Sequence, residues 1–314
     1  MNSVNSAEQS PMNSPHSIAA PPTVPTTRQN TDATAGAAST VAYQPLPIRE
    51  RLVQVDFLRG VALLGILVVN MSFFFQPFGR AIDPTWLHWA DQSDRVVWGV
   101  VSAFFSFKFI SLFSLLFGFG VAMQLGRVDS SGHRVWPFAL RRFGVLALIG
   151  LLHGTLVWYG DILFIYACLG LVLTALRRVS AKVVLIIALC IAGAQGLFGL
   201  AGPILGEFFA SSVGEDPIAA PFIMPGAAHE PTGWDAMVDA NFFPADPIWM
   251  AGEAAAYRDG PFVTALLYRG VSYAFGVGVS VFSYGWHALL MMLLGMWAYK
   301  TEFWRPERAA LRRR

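Results

Sequence analysis

The sequence predicts an all-α fold, a polytopic membrane helix bundle of about six transmembrane helices behind a disordered N-terminal tail. Composition is the first observation: 55% of the 314 residues are hydrophobic and 13% are charged, about half the charged share of a soluble globular domain. The second is length. Six apolar stretches approach the roughly 20 residues a helix needs to cross a hydrocarbon core about 30 Å thick. The third is that basic residues gather in every second loop, as they do on the cytoplasmic side of a bilayer.

Residues 1–48 are rich in Ser, Thr, Pro, Ala and Asn and bury too little to offset ordering entropy, so they read as a disordered cytoplasmic tail. The tail has no basic segment leading into an apolar one, and the first helix is expected to be an uncleaved anchor. The six expected spans run over 52–75, 96–125, 138–158, 161–176, 183–205 and 271–299. The third and fourth share a tight turn at Tyr159 and Gly160 and form one hairpin. An outward loop, 206–262, is rich in Pro, Gly and Trp and suggests short interfacial helices.

Arg127, Arg134, Arg141 and Arg142 lie between the second and third spans, and Arg177, Arg178 and Lys182 between the fourth and fifth. Alternate loops are acidic instead. Both termini are therefore predicted to be cytoplasmic. Net charge is +2, which argues against nucleic acid as a partner. Cys168 and Cys190 sit in apolar runs without metal-ligand or disulfide spacing, and read as packing residues; no metal site is expected.

Ionisable side chains inside or beside spans are costly unless paired or hydrated, and each is a functional candidate. Asp56 and Arg59 are three residues apart at the start of the first helix. They form either a structural ion pair or a cytoplasmic anion site with Arg59 as donor to a phosphate. Gly60 beside them is expected to admit a neighbouring backbone. Lys108 binds an anion in the second span or snorkels to an interface. His153, Tyr159 and Asp161 meet at the outward end of the hairpin, where imidazole and carboxylate could share a proton for general-base work; Asp161 is alternatively an N-cap. Asn70 and His88 frame the first outward loop, and His287 reads as an interhelical hydrogen-bonding residue. Glu253, Tyr257 and Arg258 form an outward cluster, or simply the polar face of an interfacial helix.

The run from Arg51 through Asp56, Arg59 and Gly60 to Asn70 resembles the start of the YeiB-like family of bacterial inner-membrane proteins, a domain of unknown function. The likeness continues through Lys108 to Gly120, His153 to Tyr166, Glu253 to Gly260 and Leu293 to Met296, and so covers 49–314. More distantly, the opening pattern is similar to heparan-alpha-glucosaminide N-acetyltransferase and the membrane acyltransferase-three family. That resemblance implies an enzyme that passes an acyl group from cytoplasmic acyl-CoA to an extracytoplasmic acceptor. Arg59 and Lys108 would serve the donor, Asn70 with His88 the acceptor side, and His153, Asp161 or His88 the acid/base step. Tyr159, Glu253 and Arg258 would line the substrate path. The same charges would line the path of a transporter for a small solute or lipid precursor. YeiB-like proteins continue with further helices beyond Met296, so a truncated, inactive fragment is a third expectation. The implied setting is the bacterial inner membrane, with the lipid bilayer, acyl-CoA, an acceptor and a homo-oligomer as candidate partners.

Overall fold

The structure, a computed structural model, describes residues 53–74, 76–82, 91–213 and 233–302. The expected tail (1–48), His88 and part of the outward loop lie outside these residues. Among the described residues every regular element is helical. Eleven helices are described: α1 (Val53–Phe74), α2 (Phe78–Ile82), α3 (Gln92–Phe104), α4 (Lys108–Ser130), α5 (Val135–Leu156), α6 (Leu163–Ala175), α7 (Ala181–Val213), α8 (Gly233–Asp239), α9 (Pro247–Arg258), α10 (Phe262–Phe282) and α11 (Tyr284–Lys300).

Five stretches are long and apolar enough to cross a membrane: Val53–Phe74, Gln92–Ser130, Val135–Leu156, Ala181–Gly202 and Phe262–Val281. Only 11–22% of the apolar window in each is buried, so the remaining side chains need an apolar solvent outside the protein. Phe198 and Leu200 of α7, each 76% exposed, are examples. The chain is therefore a multi-pass membrane protein.

The bundle is organised by α4 and α11, which run side by side in the same direction. Gly118 of α4 lies against the Met292 backbone, and Gly295 of α11 against the Leu115 and Phe119 backbone. Without side chains at these crossings the two main chains touch, and dispersion contacts replace the hydrophobic drive that lipid removes. The α5–α6 hairpin covers one side, with Phe143 against Gly170, while α1 covers α4 and α7 covers α11. One core joins Val121, Leu125, Phe143, Tyr166, Leu173, Leu293 and Met296. Two smaller ones form at the opposite end, around Trp249 and Tyr268 and around Phe78, Tyr159 and Tyr273.

The last expected span, 271–299, falls across a break. Ser283, at φ −122 and ψ −91, separates α10 from α11, and the helical stretch begins earlier, at Phe262. A similar break separates α3 from α4, where Phe107 adopts φ 63. The expected fourth span, 161–176, holds only the 13 helical residues of α6, followed by a 3-10 turn at Leu176–Arg178, and is too short to be among the five stretches. Gly60 has no neighbour within 4 Å; the close backbone approach expected there is made by Gly118 and Gly295. Cys168 and Cys190 are both exposed and face outward instead of filling the interior.

Candidate functional site

The turn between α5 and α6 builds one end of the site. The amides of Val157 and Trp158 both donate to the His153 carbonyl at 2.9 Å, which closes α5, and the Trp158 ring then lies over Gly160. Tyr159 turns inward, and its hydroxyl shares one proton between the Phe73 carbonyl (2.9 Å) and the Gln76 carbonyl (3.1 Å). Burial first, then the nearby Glu253 and Tyr257, push the Tyr159 phenol well above its ordinary pKa. It therefore stays protonated and anchors the end of α1.

His153 Nδ1 lies 3.1 Å from Asp161 Oδ1. The other oxygen of Asp161 accepts the Phe164 amide at 3.1 Å, which caps α6. Asp161 thus engages the Phe164 amide with one oxygen and the His153 ring with the other. The carboxylate side chain is 1% exposed and the imidazole 38%. Such a pairing fixes the ring with Nδ1–H toward the carboxylate and leaves Nε2, which has no protein partner among the described residues, to accept a proton.

Beside this turn lies a cavity of about 600 Å³, walled by Phe73, Phe74, Trp158, Tyr159 and Tyr257 and bearing Glu253, Arg258 and Arg269. Glu253 sits there because α9 starts on a capped turn. Asp246 accepts the Ile248 amide at 2.8 Å with Pro247 at the first helical position, and Trp249, Met250, Gly252 and Ala256 bury the same helix. Glu253 is 1% exposed. Neither of its carboxyl oxygens has a hydrogen-bond partner among the described residues.

Burial lifts the Glu253 carboxyl to about 8, against a smaller downward pull from the Phe78 backbone, the Trp249 indole and the Arg269 charge. The backbone and indole lie near the carboxyl without completing hydrogen bonds, so burial dominates. Arg269 is held at the rim: it donates to the Tyr257 hydroxyl at 3.0 Å and to the Leu156 carbonyl, and its guanidinium lies 5.2 Å from the Tyr257 ring centre. Arg258 pairs through Nε with Asp259 at 2.8 Å.

A second cavity, of about 110 Å³, lies nearer the other end, where α1, α4 and α5 meet. Arg59, Gln124 and Arg142 line it with Phe113, Phe117, Gly120 and Val121. One terminal nitrogen of Arg59 donates to Asp56 at 3.0 Å and the other to the Leu116 carbonyl at 3.1 Å. Gly120 leaves room for the guanidinium. Gln124 Oε1 is buried with no hydrogen-bond partner among the described residues. The expected ion pair is thus present, and the same arginine also lines this cavity.

Polar contacts also thread the bundle between α4, α6 and α11. The Ser114 hydroxyl is 2.6 Å from Tyr166 Oη, which is 3.1 Å from Tyr284 Oη, and Ser111 is 2.6 Å from His287 Nε2. His287 is the interhelical hydrogen-bonding residue expected. Tyr166, Tyr284, Gln124 and the cavity-facing position of Arg142 were not legible, since each gains meaning only from its neighbours across the bundle.

Lys108 lies outside both cavities. Its ammonium turns back to the Ser102 carbonyl at 3.3 Å, at the exposed start of α4. Asn70 is half-buried on α1 and lines neither cavity. Among the described residues no group of three or more His, Cys, Asp or Glu is placed to hold a metal ion.

Comparison with known proteins gives relatives of the same kind. The uncharacterized protein YeiB of Escherichia coli is 40% identical over 134 residues, 43% of this chain and 33% of the relative. The uncharacterized protein YxaH of Bacillus subtilis is 36% identical over 151 residues, 46% of this chain and 37% of the relative. The matched stretch is YeiB-like. An uncharacterized 39.9 kDa protein from the amylase 3′ region of Bacillus acidopullulyticus adds 31% identity over 139 residues, 44% of the chain and 38% of that relative. The match therefore spans between 33% and 38% of each relative's length. No family model and no solved structure matches the chain.

Proposed function

We propose that this YeiB-like chain forms part of a transmembrane acyltransferase, with the Arg59 cavity facing the cytoplasm and the Glu253 cavity facing outward. The observation that carries the reading is the His153 imidazole, held through Nδ1 by a buried carboxylate, one turn from the residues that wall a large cavity. Orientation rests on Arg127, Arg134, Arg141, Arg142, Arg177, Arg178 and Lys182, which gather at the end nearer the Arg59 cavity and favour the cytoplasmic side of an inner membrane.

In this reading Arg59 and Arg142 bind a phosphate of acyl-CoA from the cytoplasmic side. The acceptor enters from outside. His153 Nε2 takes the proton of the acceptor's hydroxyl or amine as that atom bonds to the acyl carbon. The carbon–sulfur bond breaks, and the proton passes on to the departing thiolate.

The test is release of free thiol from acyl-CoA by the chain in liposomes, with a YeiB-like relative assayed in parallel. Acceptor-dependent release, lost in His153→Ala, is expected. Intact thioester across a panel of acyl chain lengths, for both proteins, overturns the reading.

Glu253 favours a second reading. A buried carboxyl that carries a proton at neutral pH, in a cavity at one end of a span, is a common device of proton-coupled carriers. Solute flux without thioester cleavage, abolished by Glu253→Gln, would identify that function instead.

A further inference from the structure

The walls of the larger cavity carry charges of both signs in a fixed order. Glu253 lies buried, with two oxygen acceptors that have no hydrogen-bond partner among the described residues. Arg258, whose terminal nitrogens have no partner among the described residues, stands five residues later on the same helix with its side chain 60% exposed. Arg269 is fixed beside it by Tyr257 and the end of α5. Phe73 and Trp158 add aromatic side chains to the walls of the same cavity.

A purely anionic ligand would meet Glu253 at the bottom of the cavity, and an apolar one would leave both carboxyl oxygens unpaired. A simple cation would satisfy Glu253 and the aromatic faces, but it would have to pass two arginines and would leave them unused. A ligand with a cation at one end and an anion at the other meets every charged group in order.

We propose that this cavity is a binding site for a zwitterionic head group, its primary ammonium donating to the two Glu253 oxygens and its phosphate or carboxylate held by Arg258, with Arg269 supplying positive field at the rim. The assignment rests on the cavity alone. It holds for a carried solute as well as for an acyl acceptor, so it stands or falls separately from acyl transfer.

Calorimetric titration of the purified protein, in nanodiscs of phosphatidylglycerol alone, tests it with four probes: glycerophosphoethanolamine, its N-acetyl derivative, ethanolamine and inorganic phosphate. Glycerophosphoethanolamine is expected to bind at least about tenfold more tightly than each of the others, and Glu253→Gln and Arg258→Ala are each expected to weaken it by about tenfold or more. Equal binding of the N-acetyl derivative, which lacks the ammonium, overturns the assignment on the unaltered protein and needs no variant to fold. Undiminished binding to a folded Glu253→Gln overturns it as well. Repeating the titration in nanodiscs containing phosphatidylethanolamine identifies the source: suppressed binding marks a lipid-borne head group, and unchanged binding marks a free zwitterion.

Discussion

Two buried carboxyls at the same end of the molecule have opposite fates. Asp161 spends one oxygen on the Phe164 amide and the other on His153, whereas neither oxygen of Glu253 is bonded among the described residues. Asn caps a helix about as well as Asp, so Asp161→Asn should keep α6 in place while removing the carboxylate that orients the imidazole. The proposed acyl transfer should fall by about 10²–10⁴ with little change in thermal midpoint, measured by thiol release and by melting in detergent.

Glu253 gives a prediction of pH dependence. Its pKa is raised from 4.5 to about 8 in the fold, so between those values the unfolded chain releases a proton that the folded one keeps. Stability must therefore fall as pH rises through this window and level off above it. Glu253→Gln should flatten that slope, and a melting series from pH 5 to pH 9 would show whether it does. The bound state of the proposed ammonium site needs the carboxylate. Binding of glycerophosphoethanolamine below pH 8 should accordingly release a proton and tighten as pH rises toward 8, detectable as a dependence of the binding heat on buffer ionisation enthalpy.

Among the elements, α4 and α11 set the architecture, and their glycines differ sharply from others in the chain. Gly118 and Gly295 meet backbone, while Gly60 meets nothing within 4 Å. Replacing Gly118 or Gly295 with Leu should separate the two helices and cost about 1–3 kcal/mol or more. Gly60→Ala, on an open helical surface, should gain about 0.5–1 kcal/mol. Reversible unfolding in mixed micelles can rank the three. The apolar runs made α1, α5 and most of α7 legible from sequence, because lipid demands a continuous stretch of suitable length. The interruption at Ser283 was hidden: no proline marks it, and the residues on both sides are apolar. The His153–Asp161 pair was legible because a hairpin brings sequence neighbours together. The Arg59, Gln124 and Arg142 grouping was not, because it joins three helices that only tertiary packing brings to one place.

For the whole molecule, the clustering of Arg134, Arg141 and Arg178 in the basic loops of the sequence makes the proposed orientation measurable. The two native thiols, Cys168 and Cys190, are exposed and should first be replaced by Ala. In that background Arg258→Cys is expected to react with an impermeant maleimide in intact cells, whereas Arg134→Cys should react only after permeabilisation. Labelling of both from one side would remove the membrane topology on which the proposed donor and acceptor sides depend.

The paired helix breaks impose a division of their own. Ser111 and His287, which touch at 2.6 Å, are each the fourth residue of their helix, α4 and α11, so both helices restart at one level. Below that level lies the large continuous core; above it are two small aromatic clusters and the 600 Å³ void. The protein is built in two storeys joined at a shared landing. Amide exchange should accordingly be biphasic, with α9 and the first half of α10 surrendering their protons well before α4 and α11 do.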